Sequence, residues 1–157
     1  DPLFDKPVLI GQTAYFPTFK GEMRAIDLSG KAPRPGQSWS LLSAGEQDEN
    51  WRPGGWQIAS VGAQGLIYVL MHPDGSNGSH KNGGSEIWVF DPKKQARTKR
   101  ITLKNWGVSI ELTRGENPYL VVTNADMQLD IYAAGTGDWI KMIGGTAAMP
   151  FNLLAVR

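Results

Sequence analysis

The chain has 157 residues, which is enough for one domain with a substantial hydrophobic core. Its 16 basic and 15 acidic residues leave a net charge of +1, so no strong general field attracts nucleic acid or an anionic membrane surface. Cysteine is absent, which excludes disulfides, thiolate metal sites and cysteine nucleophiles within this chain. No stretch approaches about 18 consecutive apolar residues, so the sequence predicts no membrane-spanning helix.

The distribution of glycine and proline predicts interrupted β-structure. The 19 Gly and 10 Pro fall between short apolar runs that are rich in β-branched and aromatic residues, the composition of strands. In chain order, the early runs are 8–10, 14–16, 22–27 and 39–42. Residues 43–50 follow, and they form the one stretch that favours a short helical turn, although Gly45 weakens it.

The rest of the chain reads as two successive units of four strands each. The first unit comprises 57–61, 66–71, 86–90 and 96–103, and the second comprises 107–112, 119–123, 128–132 and 139–143. Their third strands, EIWVFD and QLDIYA, begin 42 residues apart. This spacing matches one four-stranded propeller blade of roughly 40–50 residues. An earlier third strand, EMRAID at 22–27, predicts one more unit before them.

These repeats predict an all-β fold, a β-propeller of which this chain supplies about three four-stranded blades. A ring needs about four to eight blades, so we expect residues 1–157 to be the C-terminal part of a single propeller domain. Counting strands from these third strands predicts that the chain begins inside a blade, near its second strand. It also predicts that the chain ends with the first strand of a further blade, at 152–156. A compact β-sandwich of about twelve strands is the alternative.

Catalytic motifs are absent from the sequence. There is no G-x-S-x-G turn and no glycine-rich phosphate loop between a strand and a helix. His72 and His80, with Asp74 between them, are candidate metal ligands, but their glycine-rich loop favours a solvated blade edge. The sequence therefore predicts no catalytic, cofactor-binding or metal-binding residue in this chain.

The most distinctive motif is WRPGGWQ at 51–57. Pro53 fixes its own φ, and the two following glycines reach conformations closed to other residues, so a rigid turn is expected. Trp and Arg are enriched at binding hot spots, which makes Trp51, Arg52 and Trp56 candidates for a subunit interface. The alternative is that both tryptophans fill the space between blades, with Arg52 stacked over one ring. For a scaffold subunit, Trp56→Ala is expected to lower stability by several kcal/mol, and Arg52→Ala to weaken subunit association with the fold retained.

Four motifs follow one another along the first two-thirds of the chain, namely YFPTFKG at 15–21, WSLL at 39–42, WRPGGWQ at 51–57 and EIWVFD at 86–91. In this order they resemble the heavy chain of the quinoprotein amine dehydrogenases, the family of methylamine and aromatic amine dehydrogenases. The resemblance extends to about residue 104, beyond which only the blade pattern continues. It adds Phe19, in the first of these motifs, to the candidate interface residues.

The resemblance implies a seven-bladed propeller without a catalytic centre of its own. In that family a small, disulfide-rich light chain joins the heavy chain in an α2β2 heterotetramer. The light chain carries tryptophan tryptophylquinone, made from two of its own tryptophans. The complex oxidises a primary amine to an aldehyde and ammonia in the periplasm, and a small copper protein accepts the electrons.

The resemblance therefore implies that the chain is the non-catalytic heavy subunit of an oxidoreductase, with no nucleic acid and no membrane as partners. Phe19, Trp51, Arg52 and Trp56 are the residues expected at its interface with the light chain. Two other functions stay open. A free-standing propeller could serve as a protein-interaction module without redox activity. A propeller hydrolase or lactonase would need oxygen and nitrogen ligands converging on an axial metal, for which this sequence offers few candidates.

Overall fold

A computed structural model of the protein describes residues 6–57, 59–62 and 64–145. These residues form antiparallel β-sheets, with one α-helix and one 3-10 turn. No helix among them is long and apolar enough to cross a membrane. The strand expected at 152–156 lies outside the described residues, so it stays a prediction.

The first blade is an antiparallel sheet, and the described chain begins at the first strand of this blade. Its strands are β1 Val8–Ile10, β2 Thr13–Pro17, β3 Glu22–Asp27, β4 Arg34–Pro35 and β5 Trp39–Ser40. β3 lies between β2 on one side and the short strands β4 and β5 on the other. Because β1 pairs with β2, the expectation that the chain enters near a second strand is wrong. β1 has three residues and turns at once into β2 through Gly11, so its sequence signal is too short to separate the two.

A second sheet contains the next two blades. The helix α1, Ala44–Asp48, connects the first blade to this sheet and confirms the expected helical turn. The second blade comprises β6 Arg52–Pro53, β7 Ala59–Val61, β8 Ile67–His72, β9 Gly84–Asp91 and the first half of β10 Ala96–Leu112, with a 3-10 turn at Ser79–Lys81. The third blade comprises the second half of β10, β11 Tyr119–Asn124, β12 Leu129–Ala133 and β13 Trp139–Ile143.

The strand β10 runs through both blades as one strand of 17 residues. The sequence predicts separate strands at 96–103 and 107–112, and this division is wrong. The first half of β10 pairs with β9 and the second half pairs with β11, so the strand enters the next blade without a loop. At the crossing, a Cβ atom on Gly107 would lie 2.6 Å from Val122 Cγ1 and 3.1 Å from Leu103 Cδ1. Glycine therefore allows the close approach that keeps the strand continuous.

The first strands of successive blades lie side by side, as they do around the axis of a propeller. β7 lies next to both β1 and the second half of β10. A parallel bridge joins Gln57 to Ser109, and Gln57 Nε2 donates to the Ile110 carbonyl at 2.8 Å. This arrangement is that of a propeller and not of two packed sheets. The β-propeller prediction is confirmed, and the β-sandwich alternative is wrong.

Two hydrophobic cores fill the spaces between the three blades. β8 contributes to both cores, because all of its residues are buried and alternate side chains point to opposite faces. The core between the first and second blades consists of Val8, Met23, Leu41, Leu42, Trp51, Ile67, Val69, Met71, Trp88 and Phe90. The core between the second and third blades consists of Tyr68, Leu70, Ile87, Val89, Ile101, Leu103, Ile110, Leu112, Leu120, Val122, Tyr132 and Ala134.

A buried carboxylate ties the strands of the third blade together. Asp130, on β12, is fully buried. Its Oδ1 accepts a hydrogen bond from Trp139 Nε1 at 2.9 Å, and its Oδ2 accepts from Asn105 Nδ2 at 2.9 Å and from Asn124 Nδ2 at 3.0 Å. Burial alone would raise the pKa of Asp130. The three hydrogen bonds and the charge of Lys104 outweigh it and hold the pKa below its ordinary value.

We expect Asp130 to make the protein sensitive to acid. The unfolded chain binds the proton near pH 4 and the folded chain binds it only at a lower pH. Stability is therefore full above about pH 4 and falls as the pH drops towards the folded pKa. Asp130→Asn should lower the free energy of unfolding at neutral pH by about 1–3 kcal/mol and reduce this acid loss.

Urea unfolding of the purified protein at neutral and acidic pH measures both effects. The control is Asp126→Asn, which changes an exposed carboxylate in the adjacent turn. Equal behaviour of the two variants would show that the Asp130 hydrogen bonds do not stabilise the fold.

Candidate functional site

The WRPGGWQ segment places its first tryptophan in the core. Trp51 is 7% exposed, and its ring centroid lies 5.0 Å from that of Trp88 with a 39° tilt between the planes. Its Nε1 donates to Glu49 Oε2 at 2.9 Å, so the buried indole N–H is satisfied. Trp51 therefore holds the segment to the core, and its ring is not accessible to a partner.

Two arginines cover this pair of tryptophans. The Arg97 guanidinium lies 4.2 Å from the Trp88 ring centroid, and that of Arg100 lies 4.9 Å from Trp88 and 5.0 Å from Trp51. Arg100 forms a two-point contact with Glu86, with Nε to Oε2 at 2.7 Å and Nη2 to Oε1 at 3.0 Å. Cations over indole faces contribute about 0.5–2 kcal/mol each, more when water is excluded. We call Trp51, Trp88, Arg97 and Arg100 the arginine–tryptophan cluster.

The short helix α1 is fastened to this cluster through one carboxylate. Glu46 Oε2 accepts from Ser43 N at 2.8 Å in a capping box, and Glu46 Oε1 pairs with Arg97 Nη2 at 2.7 Å. Burial raises the pKa of Glu46. The hydrogen bonds from Arg97 and Ser43 lower it by more, so the pKa of Glu46 lies below its ordinary value. The carboxylate therefore fixes the chain that leads into Trp51.

Arg52 is held by neutral acceptors and not by an aromatic ring. Its Nη1 donates to the Trp51 carbonyl at 2.7 Å, and its Nη2 donates to Asn50 Oδ1 at 3.3 Å. The side-chain stem lies against Gly75, where an added Cβ would come within 2.3 Å of Arg52 Cγ. The expected stacking of Arg52 over a tryptophan is wrong, because Arg97, Arg100 and Lys81 occupy the cationic positions over the rings of this region.

The glycine pair passes directly over a buried histidine. A Cβ on Gly54 would lie 2.6 Å from His72 Nδ1 and 2.9 Å from the Asn82 carbonyl oxygen, so only glycine fits there. Gly55 has a φ of 127°, and its N–H donates to the His80 carbonyl at 2.9 Å. These contacts bind the turn to the loop 73–83.

The second tryptophan of the motif reaches the surface. Trp56 is 48% exposed, and Lys81 Nζ lies 5.9 Å from its ring centroid. Its backbone N–H donates to the Val108 carbonyl at 2.7 Å, which fixes the residue beside the first strand of the third blade. The expectation that Trp56 fills the space between blades is therefore wrong.

His72 organises the loop that follows β8. It is 1% exposed, and its Nε2 lies 3.0 Å from Ser79 Oγ, which also accepts from Ser76 N at 3.0 Å. Its Nδ1 has no hydrogen-bond partner among the described residues. Burial, and then the positive charge of Arg52, lower the pKa of His72 below its ordinary value. The contacts with Ser79 and with Gly54 give His72 a structural role in holding the loop 73–83.

A groove of about 1100 Å³ opens between this loop and the first blade. Phe19 and His80 meet across it edge to face, with ring centroids 6.0 Å apart. The groove is lined by Phe19, Lys20, Gly21, Glu22, Ser38, Trp39, Ser40, Gln47, Asn50, Arg52, Gly75, Ser76, Asn77, Gly78 and His80. Of the four expected interface residues, Phe19 and Arg52 line the groove, Trp56 is exposed near it, and Trp51 lies in the core.

Sequence reasoning missed several residues of this groove. Lys20 and Trp39 lie inside motifs that carried the family resemblance, yet neither was selected. Asn50 precedes WRPGGWQ by one position, and its role depends on a bond to Arg52 that sequence alone does not display. Among the described residues, no group of three or more His, Cys, Asp or Glu is placed to hold a metal ion.

Comparisons with known proteins identify the family. The family described as methylamine dehydrogenase heavy chain (MADH) matches residues 3–153. The chain belongs to the methylamine dehydrogenase heavy chain family. It is similar to the methylamine dehydrogenase heavy chain of Methylobacillus flagellatus, with 30% identity over 124 residues, 78% of this chain and 31% of the relative. For that of Paracoccus versutus, identity is 26% over 129 residues, 82% of this chain and 30% of the relative.

The chain spans about a third of the length of the curated relatives it matches. Among solved structures, a chain of Kuenenia stuttgartiensis hydrazine synthase matches with a TM-score of 0.58 and 13% identity. That match covers 89% of this chain and 35% of the other. At this low identity, the likeness concerns the fold alone. It agrees with the propeller arrangement of this heavy-chain family member.

The two tryptophans of WRPGGWQ should differ sharply in their effect on stability. Trp51→Ala removes a packed indole and should lower the free energy of unfolding by about 3–5 kcal/mol. Trp56→Ala removes a half-exposed ring over one lysine and should cost about 1 kcal/mol or less. Chemical denaturation of the two variants measures the difference. Equal losses would mean that Trp56 is part of the core after all.

His72 should make stability depend on pH near neutrality. The unfolded chain binds a proton near pH 6.5, whereas folded His72 resists protonation until a lower pH. Unfolding is therefore favoured progressively as the pH falls below about 6.5. Unfolding free energies from about pH 7.5 to about pH 5 should fall less steeply for His72→Gln than for the unchanged protein. His80→Gln is the control, and an unchanged slope in His72→Gln would contradict the assignment.

Proposed function

We propose that this chain is part of the heavy subunit of a tryptophan tryptophylquinone-dependent amine dehydrogenase, which oxidises primary amines to aldehyde and ammonia. The observation that carries the proposal is the family match over residues 3–153. In this reading the propeller is a scaffold, and the reaction takes place on another polypeptide. The chain contributes a surface that binds the catalytic subunit, and no catalytic group.

The residues of this chain do not fit a resident tryptophylquinone. Such a cofactor joins two tryptophans and needs open space beside the quinone, where an amine can reach it. The closest candidate pair, Trp51 and Trp88, is buried, and Arg97 and Arg100 cover its faces. Glu49 and Glu86 hold the two indole N–H groups. The pair therefore supports a structural role, and the cofactor is assigned to the light chain.

We assign residues 1–157 to the C-terminal part of a single propeller domain. The incompleteness of the ring is supported by the third blade, whose last strand β13 is exposed along its whole length. Its apolar side chains Ile140, Met142 and Ile143 are 38–46% exposed. In a closed ring the next blade covers such a surface, as β8 is covered on both faces here. Further blades of the longer polypeptide are the proposed cover.

The proposed docking surface for the light chain is the end of the blades that carries WRPGGWQ. Phe19, Arg52 and the exposed Trp56 lie there together with the groove. Trp and Arg at a partly exposed, rigid surface are the residue types that dominate binding energy in interfaces. Trp51 contributes from the core by holding the turn in place. The complex is proposed to be a periplasmic α2β2 heterotetramer that passes electrons to a small copper protein.

Purification of the native protein from its source tests this function. We expect a small, cysteine-rich subunit to accompany the heavy chain, with quinone absorbance and with dye reduction that requires a primary amine. Methylamine and an aromatic amine should be compared as substrates. A purified protein that has neither such a subunit nor amine-dependent dye reduction would overturn the proposal and favour a free-standing interaction module.

A further inference from the structure

The groove beside WRPGGWQ presents an arginine that is already held in place. Two donors of the Arg52 guanidinium bind the Trp51 carbonyl and Asn50 Oδ1, both of them neutral acceptors. No carboxylate of the described residues forms an ion pair with Arg52. A guanidinium has five N–H donors, so donors remain for a further acceptor. A pre-positioned arginine loses little side-chain entropy when it binds a carboxylate.

The rest of the groove wall adds positive charge. Lys20 lines the same groove from the first blade, opposite the loop 73–83. Glu22 is the carboxylate in the lining, and Arg24 Nε binds its Oε2 at 3.0 Å. Asp48 and Asp74 are neighbours of lining residues in sequence but do not line the groove themselves. The lining therefore combines two cations with one carboxylate that has its own cationic partner.

The shape and the other lining groups suit an extended polypeptide. The groove holds about 1100 Å³, which exceeds the room that a single small anion needs and allows several residues of a polypeptide. Phe19 and Trp39 provide aromatic surface for apolar side chains. Ser38 and Asn77 provide a hydroxyl and an amide group, which can bind backbone N–H and C=O groups.

We propose that the groove binds an extended, acidic segment of a partner polypeptide, with Arg52 and Lys20 receiving its carboxylates. This inference rests on the proposed function, because the light chain is the polypeptide expected at this surface. It adds a property of that partner, a run of Asp or Glu side chains in extended conformation. Gly54 packs directly against His72, and this contact holds the turn, and with it Arg52, in the position where such a segment would bind.

Association between separated heavy and light subunits provides the first test. Arg52→Gln should weaken the affinity about tenfold or more, because a charge-assisted hydrogen bond is lost. Lys20→Gln, at an exposed position that should not disturb folding, should weaken it less. In the unchanged protein, affinity should fall between about 50 mM and about 300 mM salt, and both variants should show a shallower fall.

The control variant is Arg34→Gln, which removes an exposed arginine paired with Asp27 at 3.0 Å, outside the groove lining. It should leave the affinity unchanged. If Arg52→Gln and Lys20→Gln also bind as the unchanged protein does, the proposal is overturned, even when the assembled complex oxidises amines. This outcome separates failure of the acidic segment from failure of the proposed function.

Competition with peptides distinguishes the class of ligand. A capped hexaglutamate peptide should compete for the heavy chain, whereas capped hexaglutamine should not. Glutarate, a small dicarboxylate, should compete far more weakly than the peptide. Equal competition by the two peptides, or by glutarate and hexaglutamate, contradicts the proposal. Direct binding of hexaglutamate to the heavy chain tests the groove even where no light chain accompanies it.

Discussion

Burial of one strand on both of its faces is the constraint on which the described structure depends. β8 lies in the middle blade, and its first five residues, 67–71, alternate between the two cores. A strand in this position needs apolar side chains on both faces, with any polar side chain hydrogen-bonded as His72 is to Ser79, and it must have a blade on either side. The first and third blades supply these neighbours, so the three blades stabilise one another and none of them is an independent unit.

The arginine–tryptophan cluster connects this core to the surface. Trp51 packs within the inter-blade core, and the next residue, Arg52, already lines the groove. Trp51 packs against Trp88 and is covered by Arg100. These contacts fix the backbone of Trp51, and therefore also the direction in which the chain continues into Arg52. The surface that is proposed to bind a partner is therefore held both by packing of Trp51 in the core and by the hydrogen bonds of Arg52 and Gly55.

Local sequence patterns were sufficient for the blades and insufficient for their junctions. β3, β9 and β12 were placed to within about two residues, because alternating apolar side chains and turn residues mark them directly. The continuity of β10 was missed, since it depends on the packing of Gly107 against Val122, a contact between residues that are distant in sequence. The same limit applies to WRPGGWQ. Its composition indicated an interface, but only the position of Val108 and Lys81 determines that Trp56 faces outwards while Trp51 is enclosed.

The single strand shared by the second and third blades also affects how the propeller tolerates change in its sequence. An extra residue within the regularly paired part of β10 at 109–112 would shift its register against β11 and turn apolar side chains from the core to the opposite face. The loops 28–33 and 73–83 lie outside the shared ladder, so an added residue there would leave the pairing of β10 unchanged. A change in chain length should thus be tolerated better in these loops than at the junction between blades, and the loop 73–83 forms one wall of the groove. The junction and the groove are therefore independent in this respect, because the shared ladder keeps its register whatever the length of the loop.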